Sequence, residues 1–369
     1  MLIAALLAAA APPPAPPLYL GADLSYVNEM EDCGAVYRKN GKPVDPFALL
    51  RMEGGNIVRV RLWNDPTWTR YSNLADVKKT IRRARMQGLQ VLLDFHYSDD
   101  WADGDKQIVP AAWAKLDAEG QAKALYDWTR EVLASLDQDG LMPELVQVGN
   151  ETNPELMGGT KDKPIDWKRN ALLFDAGIRA VADAGAKAAI RPRIMLHIAQ
   201  PENVEPWFEA AERAGVKGYD LIGISYYRKW STRSIGELGE TIARVRKRFG
   251  VDVMLVETAY PFTNEGADAS PNLLGPDTLI EGYPATPAGQ KKYLVDLTRT
   301  VVKAGGNGVV YWEPNWVSTK CSTRWGVGSN WENAAWFDLE TNEALPAFEF
   351  LREDYGVFAN RKQTRSPLP

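Results

Sequence analysis

Between Leu18 and about Tyr355 the chain alternates short runs rich in Val, Ile and Leu with longer segments of mixed polarity. Eight of the short runs read as strands: LYLGADLS from Leu18, NIVRVRLW from Asn56, LQVLLDFHYS from Leu89, ELVQVGNE from Glu144, RIMLHIA from Arg193, YDLIGISYY from Tyr219, VDVMLVETA from Val251 and GVVYWEP from Gly308. Most are nearly continuous in apolar residues, which suits strands covered on both faces of a parallel sheet. The segments between them carry helical spacing, as where Leu74, Val77, Ile81 and Ala84 recur at three- and four-residue steps.

Glycine stands between helix and next strand in nearly every unit, at Gly54, Gly88, Gly140, Gly185, Gly215, Gly250 and Gly305. A left-handed helix C-cap at those joints needs a residue without Cβ. Eight strands with such joints predict an α/β chain closed into a single-domain (β/α)8 TIM barrel over residues 18–358. The competing architecture, an open doubly wound sheet, usually carries a glycine-rich phosphate turn after its first strand, and GADLSY is not one. A length of 369 residues fits one such domain.

Residues 1–17, MLIAALLAAAAPPPAPP, read as a signal-peptide core followed by small residues and a proline-rich linker, although no Lys or Arg precedes the apolar run. Export to the periplasm or the exterior is expected. No later stretch approaches the roughly 18 uninterrupted apolar residues of a membrane span, so the mature chain is expected to stay off the membrane. Residues 359–369 read as a polar C-terminal tail. With 43 Lys+Arg against 48 Asp+Glu, a net charge of -5 and no basic block, nucleic acid is excluded as a partner. A monomer is expected.

The chemistry concentrates at strand ends. Glu151 follows Asn150 at the end of the fourth strand and Glu257 ends the seventh, so both carboxyls project from the C-terminal face of one barrel, where active sites of this fold sit. Glycosidic hydrolysis needs such a pair: one acid protonates the leaving oxygen while the second carboxylate attacks the anomeric carbon or activates water. A gap of about 5–5.5 Å between them marks a retaining enzyme. Arg61, ending the second strand, is expected to support the ionised partner, and Asn150 to donate to the sugar 2-hydroxyl as the transition state develops. Either glutamate alone is as well explained as a solvated surface carboxylate; the pairing gives them weight.

The two histidines, His96 and His197, both fall on predicted strand ends. With Asp94 they raise a zinc reading, but HxxxH and CxxC spacings are absent, and no metal or cofactor is expected. A structural calcium would need a ligand loop, and no clear one is present. Thirteen tryptophans are many for this length, and Trp63, Trp101, Trp113, Trp312, Trp316 and Trp325 lie at strand ends or in the loops that follow. Such faces stack on sugar rings, with about half expected to serve loop packing instead.

Taken together, GADLSYVNEME, RVRLWNDP, VLLDFHYSDDWAD, VQVGNET, VETAYP, GYPATPAGQ and YWEPNW resemble glycoside hydrolase family 53, the endo-β-1,4-galactanases, from Gly21 to about Tyr355. The resemblance implies a (β/α)8 barrel and a retaining mechanism, with Glu151 as general acid/base and Glu257 as nucleophile on β-1,4-galactan of pectic arabinogalactan. It also implies that Arg61, Asp94, His96 and Asn150 serve the cleavage subsite. Ser225 and Tyr227 would form the sixth-strand wall, Trp312 the floor beneath the sugar, and Trp101 a stacking platform. The chain departs from the family where HIAQPEN and SYYRKW replace the usual HLANGWD and SYYPFW, placing Gln200, Asn203 and Arg228 in loops expected to face substrate.

Cys33 follows the first strand and Cys321 the eighth, and barrel closure makes those strands neighbours, so a Cys33–Cys321 disulfide is expected across the seam. Barrel and carboxyls alone do not name the sugar, which leaves hydrolysis of β-mannan or β-1,3-galactan, or a non-catalytic galactan-binding barrel, as alternatives.

Overall fold

The computed structural model describes residues 18–356; the expected signal and linker segment and the polar tail lie outside the described residues. Eight parallel strands close into a barrel: β1 (Tyr19–Asp23), β2 (Ile57–Leu62), β3 (Gln90–Phe95), β4 (Leu145–Val148), β5 (Arg193–Ala199), β6 (Leu221–Ser225), β7 (Asp252–Glu257) and β8 (Gly308–Tyr311). They follow one another in sequence around the ring, and β1 pairs with both β2 and β8.

Two short helices, α1 (Val27–Asp32) and α2 (Pro46–Met52), follow β1. The outer ring continues with α3 (Leu74–Met86), α4 (Ala118–Gln138), α5 (Trp167–Gly185), α6 (Pro201–Arg213), α7 (Ile235–Phe249) and α8 (Pro287–Lys303), each returning the chain to the next strand. Side chains of Asn73, Asp117, Asp166, Ser234 and Thr286 accept from free N–H groups in the first turns of α3, α4, α5, α7 and α8. Six of the seven punctuating glycines have positive φ, as a left-handed joint requires. Gly185 is the exception: it is the last residue of α5, and a Cβ there would lie 2.8 Å from Pro192 Cδ, so close packing rather than backbone conformation demands glycine.

The barrel interior is layered. Its apolar plug contains Tyr19, Ile57, Leu92, Leu145, Met195, Leu221, Met254 and Val310. Gly223 leaves room there, since a Cβ would lie 2.8 Å from Met195 Sδ. Towards the C-terminal ends of β1 to β5 the inward positions turn polar, to Asp23, Arg59, Asp94, Gln147 and His197, all buried. Glu257 joins this layer through a bulge. Pairing of β6 with β7 steps from Ile224 opposite Leu255 to Ser225 opposite Glu257, skipping Val256. Simple alternation would point Glu257 away from the barrel; the extra residue turns it in.

Cys33 and Cys321 form a disulfide, with Cα atoms 5.7 Å apart, joining the loops after β1 and β8 across the seam. No helix among the described residues is long and apolar enough to cross a membrane.

Candidate active site

The loops at the C-terminal ends of the strands enclose a cleft of about 580 Å³. Both glutamates line it, and a carboxylate oxygen of Glu151 lies within 4.8 Å of one of Glu257. Trp101, Trp312, Trp316, Trp325 and Trp331 form much of its apolar wall. Trp325 is 49% exposed and lies 6.2 Å from Trp101, which in turn lies 6.1 Å from Trp312.

Arg59, from the middle of β2, organises the polar layer. Its Nη1 donates to Asp23 Oδ2 at 2.9 Å and pairs with Glu257 Oε1 at 2.8 Å. Nη2 donates to Asp94 Oδ2 at 2.8 Å and Asn150 Oδ1 at 2.7 Å, and Nε to Gln147 Oε1 at 3.3 Å. Burial opposes the charge on Arg59, but Asp94, Glu257 and Asp23 together outweigh it and raise its pKa. Glu257 Oε2 accepts from the Tyr227 hydroxyl at 3.1 Å. Burial pushes the Glu257 carboxyl up to about 8, against the pull of Arg59 and with repulsion from Glu151, Asp94 and Asp23. Tyr227 is held well above its ordinary range by burial and by both glutamates, so its hydroxyl keeps its proton.

Glu151 sits two residues beyond Gly149 at the end of β4, in the left-handed region at φ 44°. A non-glycine residue there costs on the order of 1–3 kcal/mol and persists only where its surroundings fix it. Its N–H donates to His197 Nδ1 at 3.2 Å, and Gln147 Nε2 donates to the same nitrogen at 3.0 Å. Asn150 Oδ1, also near that nitrogen, already accepts from Arg59. Two donors thus assign the lone pair to Nδ1 and the proton to Nε2, which donates to Ser225 Oγ at 2.9 Å. The Ser225 hydroxyl is free to bond the Glu151 carboxyl, and Gly104 N–H donates to Oε2 at 3.2 Å. Burial raises the Glu151 pKa, opposed by Ser225 and reinforced by Asp103. His96 and His197 are both lowered, chiefly by burial, and stand neutral.

Several expectations need correction. Arg61 lines the cleft but does not touch Glu257. Its Nη1 donates to Glu313 Oε1 at 3.1 Å, and its guanidinium lies 4.2 Å from the Trp101 ring, 4.7 Å from Trp63 and 4.9 Å from Tyr26. Arg59, two residues earlier on the same face, contacts Glu257 instead because it lies deeper in the barrel. Asp94 and Ser225 are fully buried and do not line the cleft; they stand behind it, bonded to Arg59 and His197. His96 does line it, with Nε2 3.1 Å from Asp94 Oδ2 and Nδ1 accepting from Ala102 N–H at 3.3 Å. Asn150, Trp101, Tyr227 and Trp312 line it as well.

Of the six tryptophans singled out, Trp63 and Trp113 serve packing, against Trp68 and Trp128 respectively. Gln200 and Asn203 border the cleft, whereas Arg228 does not and instead donates to Ser231 O at 2.6 Å. Sequence reasoning missed Arg59, Gln147, Tyr26, Gln107, Glu313, Trp230 and Trp331. For Arg59 and Gln147 a signal existed: in IVRVRL and LVQV each polar residue falls two places after an inward apolar one.

Atoms of Glu151, His197 and Glu257 come within 4.8 Å of one another, close enough to invite a metal reading. The donor set does not fit one, because His197 Nδ1 already receives two hydrogen bonds and Nε2 carries the proton given to Ser225.

A (β/α)8 barrel whose tryptophan-walled rim cleft centres on two such close carboxyls defines a glycoside hydrolase. Comparison with known sequences makes this specific. The chain belongs to glycosyl hydrolase family 53, whose model matches residues 19–351. It is 52% identical to the arabinogalactan endo-β-1,4-galactanase of Cellvibrio japonicus over 349 residues, covering 93% of each chain. It is 35% identical to the endo-β-1,4-galactanase of Bacillus subtilis, covering 87% of this chain and 77% of that one. Among solved structures, the family 53 catalytic domain of Ignisphaera aggregans superposes with a TM-score of 0.84 at 29% identity, covering 92% of this chain and 97% of that one. A fungal β-1,4-galactanase gives 0.78 at 26% identity, covering 91% and 99%.

Proposed function

We propose that the protein is an endo-acting, retaining β-1,4-galactanase that cleaves galactan and type I arabinogalactan of pectin, with Glu257 as nucleophile and Glu151 as acid/base. The observation that carries this is the pair itself: two carboxyls with oxygens within 4.8 Å, the buried one held by Arg59 and Tyr227, the partly exposed one by Gly104 N–H and Ser225. An oxygen–oxygen approach within 4.8 Å favours the close carboxyl pair of a retaining enzyme, about 5–5.5 Å, over the roughly 6.5–9.5 Å that admits an inverting enzyme's water. The substrate reading is supported by the names of the relatives at 52% and 35% identity.

Two carboxyls this close titrate as a pair and together hold one proton at neutral pH. The cation and hydroxyl donor on Glu257 favour the negative charge there, which leaves the proton to Glu151. Glu257 attacks the anomeric carbon as Glu151 protonates the departing glycosidic oxygen, giving a glycosyl ester. Glu151, now ionised, then takes a proton from water, whose oxygen displaces Glu257 and restores the β-configuration. Asn150 Nδ2 donates to Ala102 O at 2.8 Å, leaving its second hydrogen for the sugar 2-hydroxyl. Trp312, Trp101 and Trp325 provide stacking faces for successive sugars. The disulfide supports an oxidising, exported location and the reading of residues 1–17 as a signal segment.

The test is digestion of purified β-1,4-galactan by wild type, Glu151→Ala and Glu257→Ala, with product configuration followed by NMR. Wild type is expected to release β-configured galacto-oligosaccharides first, and each variant to lose activity. An initial α-configured product would refute retention. Turnover of β-mannan or β-1,3-galactan but not of β-1,4-galactan would move the substrate, and turnover of none would favour a binding protein.

A further inference from the structure

The acid/base carboxyl of a glycosidase works only if its direction is fixed, yet Glu151 lies on an irregular, left-handed stretch beyond β4 rather than on the strand. The peptide unit joining Asn150 to Glu151 determines where its Cα–Cβ bond points. That unit is gripped at both ends. Its N–H, on Glu151, donates to His197 Nδ1 at 3.2 Å, and its carbonyl, on Asn150, accepts from Gln107 Nε2 at 2.8 Å. The same amide reaches the Glu151 carbonyl at 3.3 Å and the Asp103 carbonyl at 3.0 Å.

The last contact gives Gln107 a second hold. Asp103 immediately precedes Gly104, whose N–H donates to Glu151 Oε2 at 3.2 Å. One amide therefore ties the backbone of Glu151 to the loop that touches its carboxylate. Gln107 is itself anchored: it is 1% exposed, its N–H donates to Gly159 O at 2.9 Å, and its carbonyl accepts from Gly158 N–H. It does not line the cleft and touches no reacting atom.

We infer that Gln107 is a positioning residue for the acid/base, orienting the Glu151 carboxyl towards the glycosidic oxygen by fixing the Asn150–Glu151 peptide and the Gly104 donor together. This rests on the proposed role of Glu151. A residue that merely filled the loop would affect all substrates alike. One that aims the acid matters in proportion to how much help the leaving group needs, because a good leaving group departs without a proton.

The experiment compares kcat/KM on phenyl and 2,4-dinitrophenyl β-galactobiosides and on β-1,4-galactan for wild type, Gln107→Met and Glu151→Gln. Methionine keeps the volume of glutamine and removes the donor. A misplacement of the acid on the order of 1 Å costs up to about 100-fold. Gln107→Met is therefore expected to lose roughly 10- to 100-fold on galactan and the phenyl glycoside, and nothing on the dinitrophenyl glycoside. Glu151→Gln should show the same selectivity, more strongly. Equal losses on both aryl glycosides, or no loss, would overturn the inference while leaving Glu151 in place. A Glu151→Gln variant that lost activity equally on both would overturn the acid/base reading and the inference with it. If Gln107→Met does not fold, Gln107→Leu, which also lacks the donor, is held to the same selectivity.

Discussion

Replacing Arg59 with lysine tests whether the guanidinium fork, rather than positive charge alone, holds the site together. Arg59 directs all five of its N–H donors to Asp23, Asp94, Gln147, Asn150 and Glu257, at distances from 2.7 to 3.3 Å. Lysine supplies three donors from a single nitrogen, so at least two of these contacts are lost. Hydrogen bonds to charged groups contribute about 1.5–3 kcal/mol each, giving a loss of about 3–6 kcal/mol. Unfolding entropy of roughly 2.1 cal/mol/K per residue over 369 residues makes about 0.8 kcal/mol equivalent to a degree of Tm. The expected fall is about 4–8 °C by calorimetry.

Activity should fall further than stability implies. Glu257 would lose the fork that both orients it and favours its ionised form, and removal of one preorganised electrostatic contact costs on the order of 100- to 1000-fold in kcat. Arg59→Lys with a Tm within about 1 °C of wild type and unchanged kcat on galactan would refute the reasoning, since a point charge would then suffice.

Two further predictions concern pH and the seam. Burial lifts the Glu257 carboxyl from its ordinary 4.5 to about 8 and raises that of Glu151 as well, so the folded state holds the proton that the pair shares more tightly than the unfolded chain does. The resulting stability is complete below about pH 4.5 and is lost as pH rises through about 8. Glu257→Gln should therefore gain Tm relative to wild type across that interval, and parallel Tm curves for the two proteins would contradict it. The disulfide joins residues 288 apart in sequence. Removing a native crosslink costs about 2–5 kcal/mol, so a Cys33→Ala, Cys321→Ala double variant is expected to unfold several degrees earlier, and a reductant should lower the Tm of wild type but not of the variant. An unchanged Tm in the double variant would mean that the seam is held by packing alone.

The barrel was legible because it depends on repetition. Apolar runs, helical spacing and glycine joints are local signals, and their repetition around eight strands makes them reinforce one another. The close pair, Glu151 and Glu257, was legible because both sit at strand ends. The supporting layer was less so: the run IVRVRL offers two arginines on the same face, and only depth in the barrel assigns Arg59 to Glu257 and Arg61 to Glu313. Gln107 and Glu313 could not be found from spacing, since each acts on residues far away in sequence, Gln107 on Asn150 and Glu313 on Tyr26 and Arg61.

The irregularities at the rim share one physical origin. A regular strand presents alternate residues to the barrel and then leaves along its own direction, which cannot bring carboxyls from β4 and β7 face to face. Glu257 reaches the interior only through the bulge that skips Val256, and Glu151 only through a left-handed step. Tyr97, Gln200 and Glu313, just beyond the ends of β3, β5 and β8, are left-handed too. Such backbone is unfavourable and survives where buried hydrogen bonds permit no alternative. Around Glu151 and Glu257 the polar layer of Arg59, Gln147, His197 and Gln107 supplies those bonds, so the groups that fix the shape of the site also fix where its charge and its proton reside. A substitution there should change geometry and ionisation together, which is why leaving-group dependence and pH dependence of stability are more diagnostic of these residues than loss of activity alone.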